Sequence, residues 1–466
     1  MAAIAFAAIG PAVAADVSRT VAYTPRTDAF RNPGQGWSAF GTNVKTWDAV
    51  VNVGSGYDRF QWNQLEPEEG RYDWAPIDRC LAAFAKMGLP FAFRIMCANL
   101  HSSGRDCTPQ WVFDKGAKGY VYEGLEYALP DGTKTKDKVA PWFGDPVFIA
   151  CHRRFIEALA KRYDGDPRLH GIDLGSYGNW GEWHCYPLWP KGRRNEGSPG
   201  NPSEVRRQYV DMYLDNFRKT PVIFMTDDAP MLAYAEGKGT FRVGLRRDGV
   251  GDPKNIQWAG SKRYADTPQM GEVWKHRPVW FEWWGNGDKF GEKGTRFETW
   301  VIDKPVAWML ENHVSLVNTI PFNPQVFARK RPDLYPLIRD LDLKAGARFV
   351  AERAELTATA DGFAVRLTGT NAGVARIHLP YRAEYVIAAA EGAAPVRVPS
   401  SFRPCEILPG AFAHEERVRL PAAAAPGARV ALRLCHEHGI FLDFRWAVKE
   451  TTPEGALDLG PIPAKP

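Results

Sequence analysis

The chain of 466 residues lacks any apolar run long enough to cross a bilayer. Its longest, at the N-terminus, covers about 14 residues, short of the roughly 20 a spanning helix needs. No membrane insertion is expected. There is no G-x-S-x-G elbow, no P-loop and no His-Glu-x-x-His, and no dinucleotide fingerprint follows the first strand-like segments. His436-Glu437-His438 is a tighter cluster that reads as incidental surface. A block of Lys and Arg is also missing: 59 basic residues are interspersed with 54 acidic ones, for a net charge of +5, which argues against a nucleic-acid partner. Cysteine is sparse, at seven residues, and its spacing does not suit zinc. Cys97 with Cys107 and Cys405 with Cys435 can pair, and isolated buried thiols fit equally well. Neither a metal site nor a cofactor is expected.

Tryptophan is plentiful instead, with 17 Trp beside 16 Tyr and 25 Phe. Indole is awkward to bury completely because its N–H needs a partner, and a surplus suits the lining of a groove. The run Gly-Ser-Tyr-Gly-Asn-Trp-Gly-Glu-Trp-His, residues 175–184, concentrates this signal. It follows a short, mostly apolar segment, 169–174, and sets Asn179, Glu182 and His184 among Trp180 and Trp183. A carboxylate walled by indole suits a sugar ring, whose C–H face stacks while its hydroxyls need polar partners.

The first residues end in Ala12-Val13-Ala14-Ala15 before Asp16, which resembles the close of a secretory signal without its basic start. Residues 1–15 are therefore expected to be a leader remnant and the protein secreted or periplasmic. Between about residues 30 and 340, strand-like runs at 36–40, 57–62, 90–96, 171–176, 221–226, 241–245, 278–283 and 314–318 alternate with helical stretches at 77–87, 146–163, 202–216 and 297–311. Eight such repeats predict an α/β fold, a (β/α)₈ TIM barrel, over residues 16–342. The segment 98–141 is too long for a plain connector and is expected to join the rim of the site. After residue 343 only short β-like runs remain, at 354–358, 362–367, 385–389, 396–399, 416–420, 428–434 and 441–446. They predict a C-terminal β-sandwich accessory domain over 343–466.

Active sites of (β/α)₈ barrels form at the C-terminal ends of the strands. Glu182 follows the fourth predicted strand and Glu282 ends the seventh, so the two can face each other across the mouth. Retaining glycoside hydrolysis needs two carboxyls about 5–5.5 Å apart and inverting hydrolysis about 6.5–9.5 Å. The proton donor should have a raised pKa, which aromatic walls supply by desolvation. Arg59 is placed near the barrel floor and Arg94 near the end of the third strand. Either can orient a carboxylate, and a cation on a carboxylate favours a nucleophile over an acid. Asp227 and Asp228 follow the fifth strand; Arg246, Arg247 and Asp248 follow the sixth. These groups suit sugar hydroxyls or ion pairs closing the barrel. Glu66 reads chiefly as part of a turn, with substrate contact as a second role. Trp180, Trp183, Trp283, Trp284 and Trp308 are expected to build subsites with Asn179 and His184, while His313 reads as a satisfied core residue.

Four segments carry a resemblance: Arg31-Asn32-Pro33-Gly34-Gln35-Gly36-Trp37; Arg59-Phe60-x-Trp62 with Leu65-Glu66-Pro67-Glu68-Glu69-Gly70; Lys161-Arg162-Tyr163-Asp164-Gly165-Asp166-Pro167; and the 175–184 run. With Gly244-Leu245-Arg246-Arg247-Asp248 they resemble a secreted bacterial (β/α)₈ family whose C-terminal region is a domain of unknown function. The barrel half is also distantly similar to the β-galactosidase-like retaining glycoside hydrolases. That resemblance implies Glu182 as acid/base and Glu282 as nucleophile. In those enzymes Asn stands directly before the acid/base; here Gly181 does, with Asn179 three positions ahead of Glu182. The function expected is cleavage of a glycosidic bond in a poly- or oligosaccharide by retaining double displacement. The alternatives are a non-catalytic glycan-binding barrel and a polysaccharide lyase using Arg246 and Tyr177.

Overall fold

The computed structural model describes residues 18–42, 50–188, 190–191, 201–285, 287–319, 322–388, 394–420 and 427–463. The leader expected over residues 1–15 lies outside the described residues. No described helix is long and apolar enough to cross a membrane.

Eight parallel strands close into a barrel in sequential order: β1 (Gly36–Phe40), β2 (Val53–Gln61), β3 (Phe91–Met96), β4 (Leu169–Asp173), β5 (Val222–Met225), β6 (Val243–Val250), β7 (Val279–Trp283) and β8 (Leu316–Asn318). Successive side chains of a strand point to opposite faces, so every second residue faces the barrel interior. One interior layer is apolar and buried: Tyr57, Ala92, Ile223, Trp280 and Leu316, with Phe40 packed against them. One pleat further along the same strands the interior turns ionic, with Arg59, Arg94, Asp173, Arg246, Glu282 and Asn318. Strand pairing sets Arg59 beside Arg94, Arg94 beside Asp173, and Glu282 beside Asn318. The apolar layer thus forms a floor on which a charged layer rests.

The outer helices follow from their sequences. Helix Pro146–Tyr163 starts at Asp145, whose carboxylate accepts the N–H groups of Val147 and Phe148, has Pro in its first turn, and ends in Lys161 and Arg162. Phe148, His152, Phe155, Ile156, Leu159 and Tyr163 recur at three- and four-residue spacing and form its buried face. On β2, Gly56 leaves space for another helix, because a Cβ there would meet the Phe84 ring at 2.3 Å.

Two antiparallel four-stranded sheets form the sandwich. One runs Ser18–Ala22, Phe349–Thr359, Gly362–Asn371, Gly410–Arg419; the other Val396–Pro399, Tyr381–Ile387, Arg429–His436, Leu457–Pro461. Leu356, Val365 and Leu367 of the first and Tyr385, Leu432 and Leu457 of the second share one core with Trp446. Two details differ from expectation, and a third settles the open alternative for the cysteines. Ser18–Ala22 precedes the barrel yet pairs along Phe349–Thr359, from Ser18 opposite Thr357 to Ala22 opposite Arg353, so the sandwich draws a strand from the segment assigned to the barrel. The run 441–446 makes only an isolated bridge, Leu434 to Phe444. All seven cysteines are free thiols.

The Arg31–Trp37 motif is the joint between the two halves. The Asn32 Oδ1 accepts the Arg445 N–H at 2.7 Å and its Nδ2 donates to the Arg445 carbonyl at 3.3 Å. The Gln35 amide likewise spans both backbone groups of Ala347, at 2.7 and 2.9 Å. Gly34, with a left-handed φ of 77°, leaves space for Leu379, which a Cβ would meet at 2.5 Å. His313 closes the far side, its Nδ1 lying 2.5 Å from the Val374 carbonyl and its ring stacked on Trp274. Asn32→Ala leaves the half-buried backbone groups of Arg445 without their partner and is expected to cost about 1 kcal/mol of stability. Urea unfolding checks this, and an unchanged midpoint would show that the joint adds nothing.

Candidate active site

The ionic layer at the C-terminal ends of the strands is a single network. Arg59 from β2 reaches Glu182 Oε1 with Nη1 at 3.0 Å and Glu282 Oε2 with Nη2 at 2.6 Å. Arg94 from β3 contacts Glu182 Oε1 at 3.2 Å and Asp173 Oδ2 at 2.9 Å. Arg246 from β6 binds Glu282 Oε2, Asp173 Oδ2 at 3.3 Å and Asp248 Oδ1 at 2.7 Å. Asn318 from β8 donates to Glu282 Oε2 at 3.0 Å, and His184 Nε2 lies 3.3 Å from Glu182 Oε2. Tyr57 donates its hydroxyl to Asp173. Arg94 and Arg246 are wholly buried, and Glu182 and Glu282 are each 7% exposed, so these charges interact with little screening by water.

One oxygen each of Glu182, Asp248 and Glu282 lie within 4.8 Å of one another. That spacing would suit a cation, but three guanidiniums already face these carboxylates, and the donor set fits ion pairing rather than a resident metal.

The loop that carries Glu182 is under backbone constraint. Ser176, Trp180 and Trp183 have φ values of 72°, 55° and 62°, and Gly178 and Gly181 are also left-handed. Non-glycine residues held this way cost of order 1–3 kcal/mol each and cluster at functional sites. Arg94 explains two of the glycines. A Cβ on Gly175 would meet the Arg94 Cγ at 2.6 Å, and one on Gly181 would meet the Ile95 carbonyl at 2.9 Å and the Arg94 Cδ at 3.2 Å. Gly181 thus stands where the β-galactosidase-like enzymes carry Asn because this backbone leaves no room for a side chain.

Several expected site residues do not join the cluster. Asn179 is buried and holds loops together: its Oδ1 accepts the Leu100 N–H at 3.2 Å and its Nδ2 donates to the Tyr186 carbonyl at 3.2 Å. Glu66 accepts from Trp62 Nε1 at 2.8 Å and from the Gly70 N–H at 2.9 Å, which closes its turn. Trp183 is buried against Phe224 and donates to the Leu174 carbonyl at 2.7 Å. Trp283 follows inward-facing Glu282 by one residue, so it points outward, where Phe322 packs on it. Trp308 lies in the outer layer against Trp258 and Phe281. Tyr177 is buried with Phe143 and Tyr209, its hydroxyl taken by Asn201, so the structure does not offer it as a lyase base. Asp227 lies beside Arg247, 3.2 Å away, and burial raises its carboxyl.

Two expected indoles do stand at the mouth. The Trp180 ring lies 5.9 Å from His184 and 5.3 Å from His101, and its carbonyl is 3.5 Å from Arg94 Nη1. Trp284 is 40% exposed and packs on Trp300. The segment 98–141 forms the short helix Gln110–Asp114 and the hairpin Gly119–Ala128 with Lys134–Pro141. The hairpin packs on the loop after β4, with Tyr122 bridged to Pro190 and the Lys191 N–H on the Val121 carbonyl at 2.7 Å.

Asp173 and Asn318 were not singled out from the sequence, although a polar residue closing an apolar strand at inward parity was a usable signal. The electrostatics also differ from expectation at Glu182. Burial pushes its carboxyl up, but Arg59, the hydrogen bond with His184 and Arg94 outweigh burial and hold it well below the usual carboxylate range. Arg59 sits in the charged layer above the apolar floor, not at the floor.

Residues 49–186, which span β2 to β4 and the Glu182 loop, match the Glyco_hydro_42 family, described as Beta-galactosidase. The chain is 27% identical over 130 residues to a β-galactosidase of Thermus thermophilus, covering 27% of this chain and 18% of that protein. It is also 27% identical over 141 residues to β-galactosidase BgaA of a Thermus species, covering 30% and 19%. The aligned segment thus spans about a fifth of the length of these curated relatives. Among solved structures, endo-glycoceramidase II from a Rhodococcus species aligns over 84% of this chain and 99% of its own, at 12% identity and a TM-score of 0.41. The barrel is β-galactosidase-like over the matched segment.

Gly181→Ala forces a side chain into a left-handed position against Ile95 and Arg94. It is expected to cost about 1–3 kcal/mol, read as a lower thermal midpoint. A variant as stable as the native protein would show that the loop carries no such constraint.

Proposed function

We propose that the protein is a retaining glycoside hydrolase. The observation that carries this reading is the placement of Glu182 and Glu282 on opposite sides of one barrel mouth, joined by the two arms of Arg59, with carboxylate oxygens within 4.8 Å. Glu282, oriented by Arg59, Arg246 and Asn318, is the nucleophile that attacks the anomeric carbon and forms the glycosyl-enzyme. Glu182 protonates the leaving oxygen and later activates water. Trp180 and Trp284 offer indole faces to the sugars on either side of the cleaved bond. The relatives named β-galactosidase make β-galactosides the first substrates to test. The apolar N-terminal stretch ending at Ala15 supports export to a secreted or periplasmic location.

Glu282→Gln is expected to abolish hydrolysis of aryl β-glycosides. Glu182→Gln is expected to lower it by about 10²–10⁴-fold for poor leaving groups. A 2-deoxy-2-fluoro glycoside with a good leaving group should label Glu282, detected by peptide mass spectrometry. Binding of glycans with no cleavage across a broad panel would overturn the enzyme reading in favour of a glycan-binding barrel.

A further inference from the structure

The network contains more acid than base. Arg59, Arg94 and Arg246 supply three positive charges and Asp173, Glu182, Asp248 and Glu282 four negative ones, an excess of one that is open to a proton either on His184, which Glu182 raises, or on a carboxylate. A buried, unbalanced charge is costly, and a cluster that can take up a proton relieves it.

Asp248 is where that relief is needed. Its Oδ1 is satisfied by Arg246 Nε, but its Oδ2 is buried with no hydrogen-bond partner. The Nη2 atoms of Arg59 and Arg94 both stop 3.6 Å from it, beyond hydrogen-bond reach. The same aspartate lies within 4.8 Å of both glutamate carboxylates. A bare carboxylate oxygen here lacks donors, whereas a carboxylic O–H can itself donate to a neighbouring carboxylate. The groups facing it are Arg246 on its own strand, Tyr57 and Arg59 on β2, Arg94 on β3, Asp173 on β4, Glu182 with His184 and Asp227 behind it, and Glu282 on β7.

We infer that Asp248 carries a proton on Oδ2 in the resting protein and hands it to Glu182 when substrate enters, so that Glu182 acts as donor through Asp248. In this transfer the O–H bond at Asp248 breaks and one forms at Glu182. The negative charge moves to Asp248, against three guanidiniums. Cleavage then passes that proton from Glu182 to the leaving oxygen. Asp248 is a positioning residue for the proton and does not touch the sugar. Titration behaviour agrees: burial, then the Glu282 and Glu182 carboxylates, push Asp248 up to about 7 against the pull of Arg246 and Arg94. Glu182 is displaced the opposite way. Environments that drive two carboxyls apart in this manner mark acid and base partners. The use made of the proton rests on the glycosidase reading; its location does not.

Infrared difference spectra of the native protein, recorded below and above neutral pH, test the location directly. A protonated-carboxyl band is expected that titrates near neutrality, is lost in Asp248→Asn, and titrates at lower pH in Glu182→Gln and Glu282→Gln, each of which removes a negative charge that raises Asp248. Absence of the band in the native protein overturns the inference, as does its loss in Glu182→Gln with retention in Asp248→Asn. If Asp248→Asn does not fold, Asp248→Glu should keep a titrating band at a shifted frequency, and an unshifted band overturns the assignment. Where hydrolysis is found, native turnover should fall as pH rises through about 7. Asp248→Asn should cut kcat about 10-fold or more on poor leaving groups, while sparing activated nitrophenyl glycosides that need no proton. Equal loss on both classes would mean a structural role and overturn the inference. Failure to cleave any glycoside alongside the expected infrared result would remove the glycosidase reading alone.

Discussion

Arg59 is the residue on which the mouth of the barrel depends. One guanidinium binds a carboxylate from the loop after β4 and another from the end of β7, and so fixes the distance between two side chains 100 positions apart in sequence. A planar fork with donors on two arms can do this; a lysine, with a single charged centre, cannot hold two carboxylates at a set separation. Because the partners lie beneath an almost closed surface, these contacts act with little screening, and the network resists deformation. The apolar layer below, with Trp280 and Tyr57, supplies the dry floor that keeps the charges interacting with one another rather than with water.

The strained loop has the same cause. Arg94 must pass beneath residues 175–181 to reach Glu182 and Asp173, and its methylenes occupy the space that Cβ atoms at Gly175 and Gly181 would need. The glycines and left-handed turns that made the run conspicuous are the backbone's accommodation of a buried arginine. The resemblance to enzymes with Asn before their acid/base therefore breaks at one position for a local steric reason.

Much of the architecture was legible because its signals are local. Helix Pro146–Tyr163 and strand Gly36–Phe40 match the expected bounds, the first because Asp145, Pro146 and the basic last turn mark its ends. The strand Ser18–Ala22 was missed because its partner lies more than 300 residues away and its own five residues are almost all exposed. The hairpin within 98–141 was missed because polar residues occupy both of its faces, which erases the two-residue period. At the site, the positions of Glu182, Glu282, Arg94 and Arg246 followed from strand ends alone. Trp183 and Trp283 did not, because adjacency in sequence to an inward-facing glutamate is not proximity to it in space. Strand alternation puts Trp283 on the face opposite Glu282, and that parity was present in the sequence. The amide of Asn179 is another matter, since its partners exist only once two loops meet. The segments that carry the family resemblance divide in the same way. Asn32, Gly34, Gln35 and Glu66 build joints and turns, whereas Arg59, the Glu182 loop, Arg246 and Asp248 enter the cluster.

The two glutamates are not equivalent in their surroundings. Glu282 gathers Arg59, Arg246 and Asn318 on one oxygen. Glu182 shares Arg59 and Arg94 on one oxygen and meets His184 on the other, so part of its stabilisation is borrowed from a residue that also serves Glu282. Arg59 is the one arginine the two share: without it Glu182 keeps Arg94 and His184, and Glu282 keeps Arg246 and Asn318. In the mechanism proposed above, the proton inferred on Asp248 lies a few ångströms from Glu182, where a change in these contacts on binding would move it.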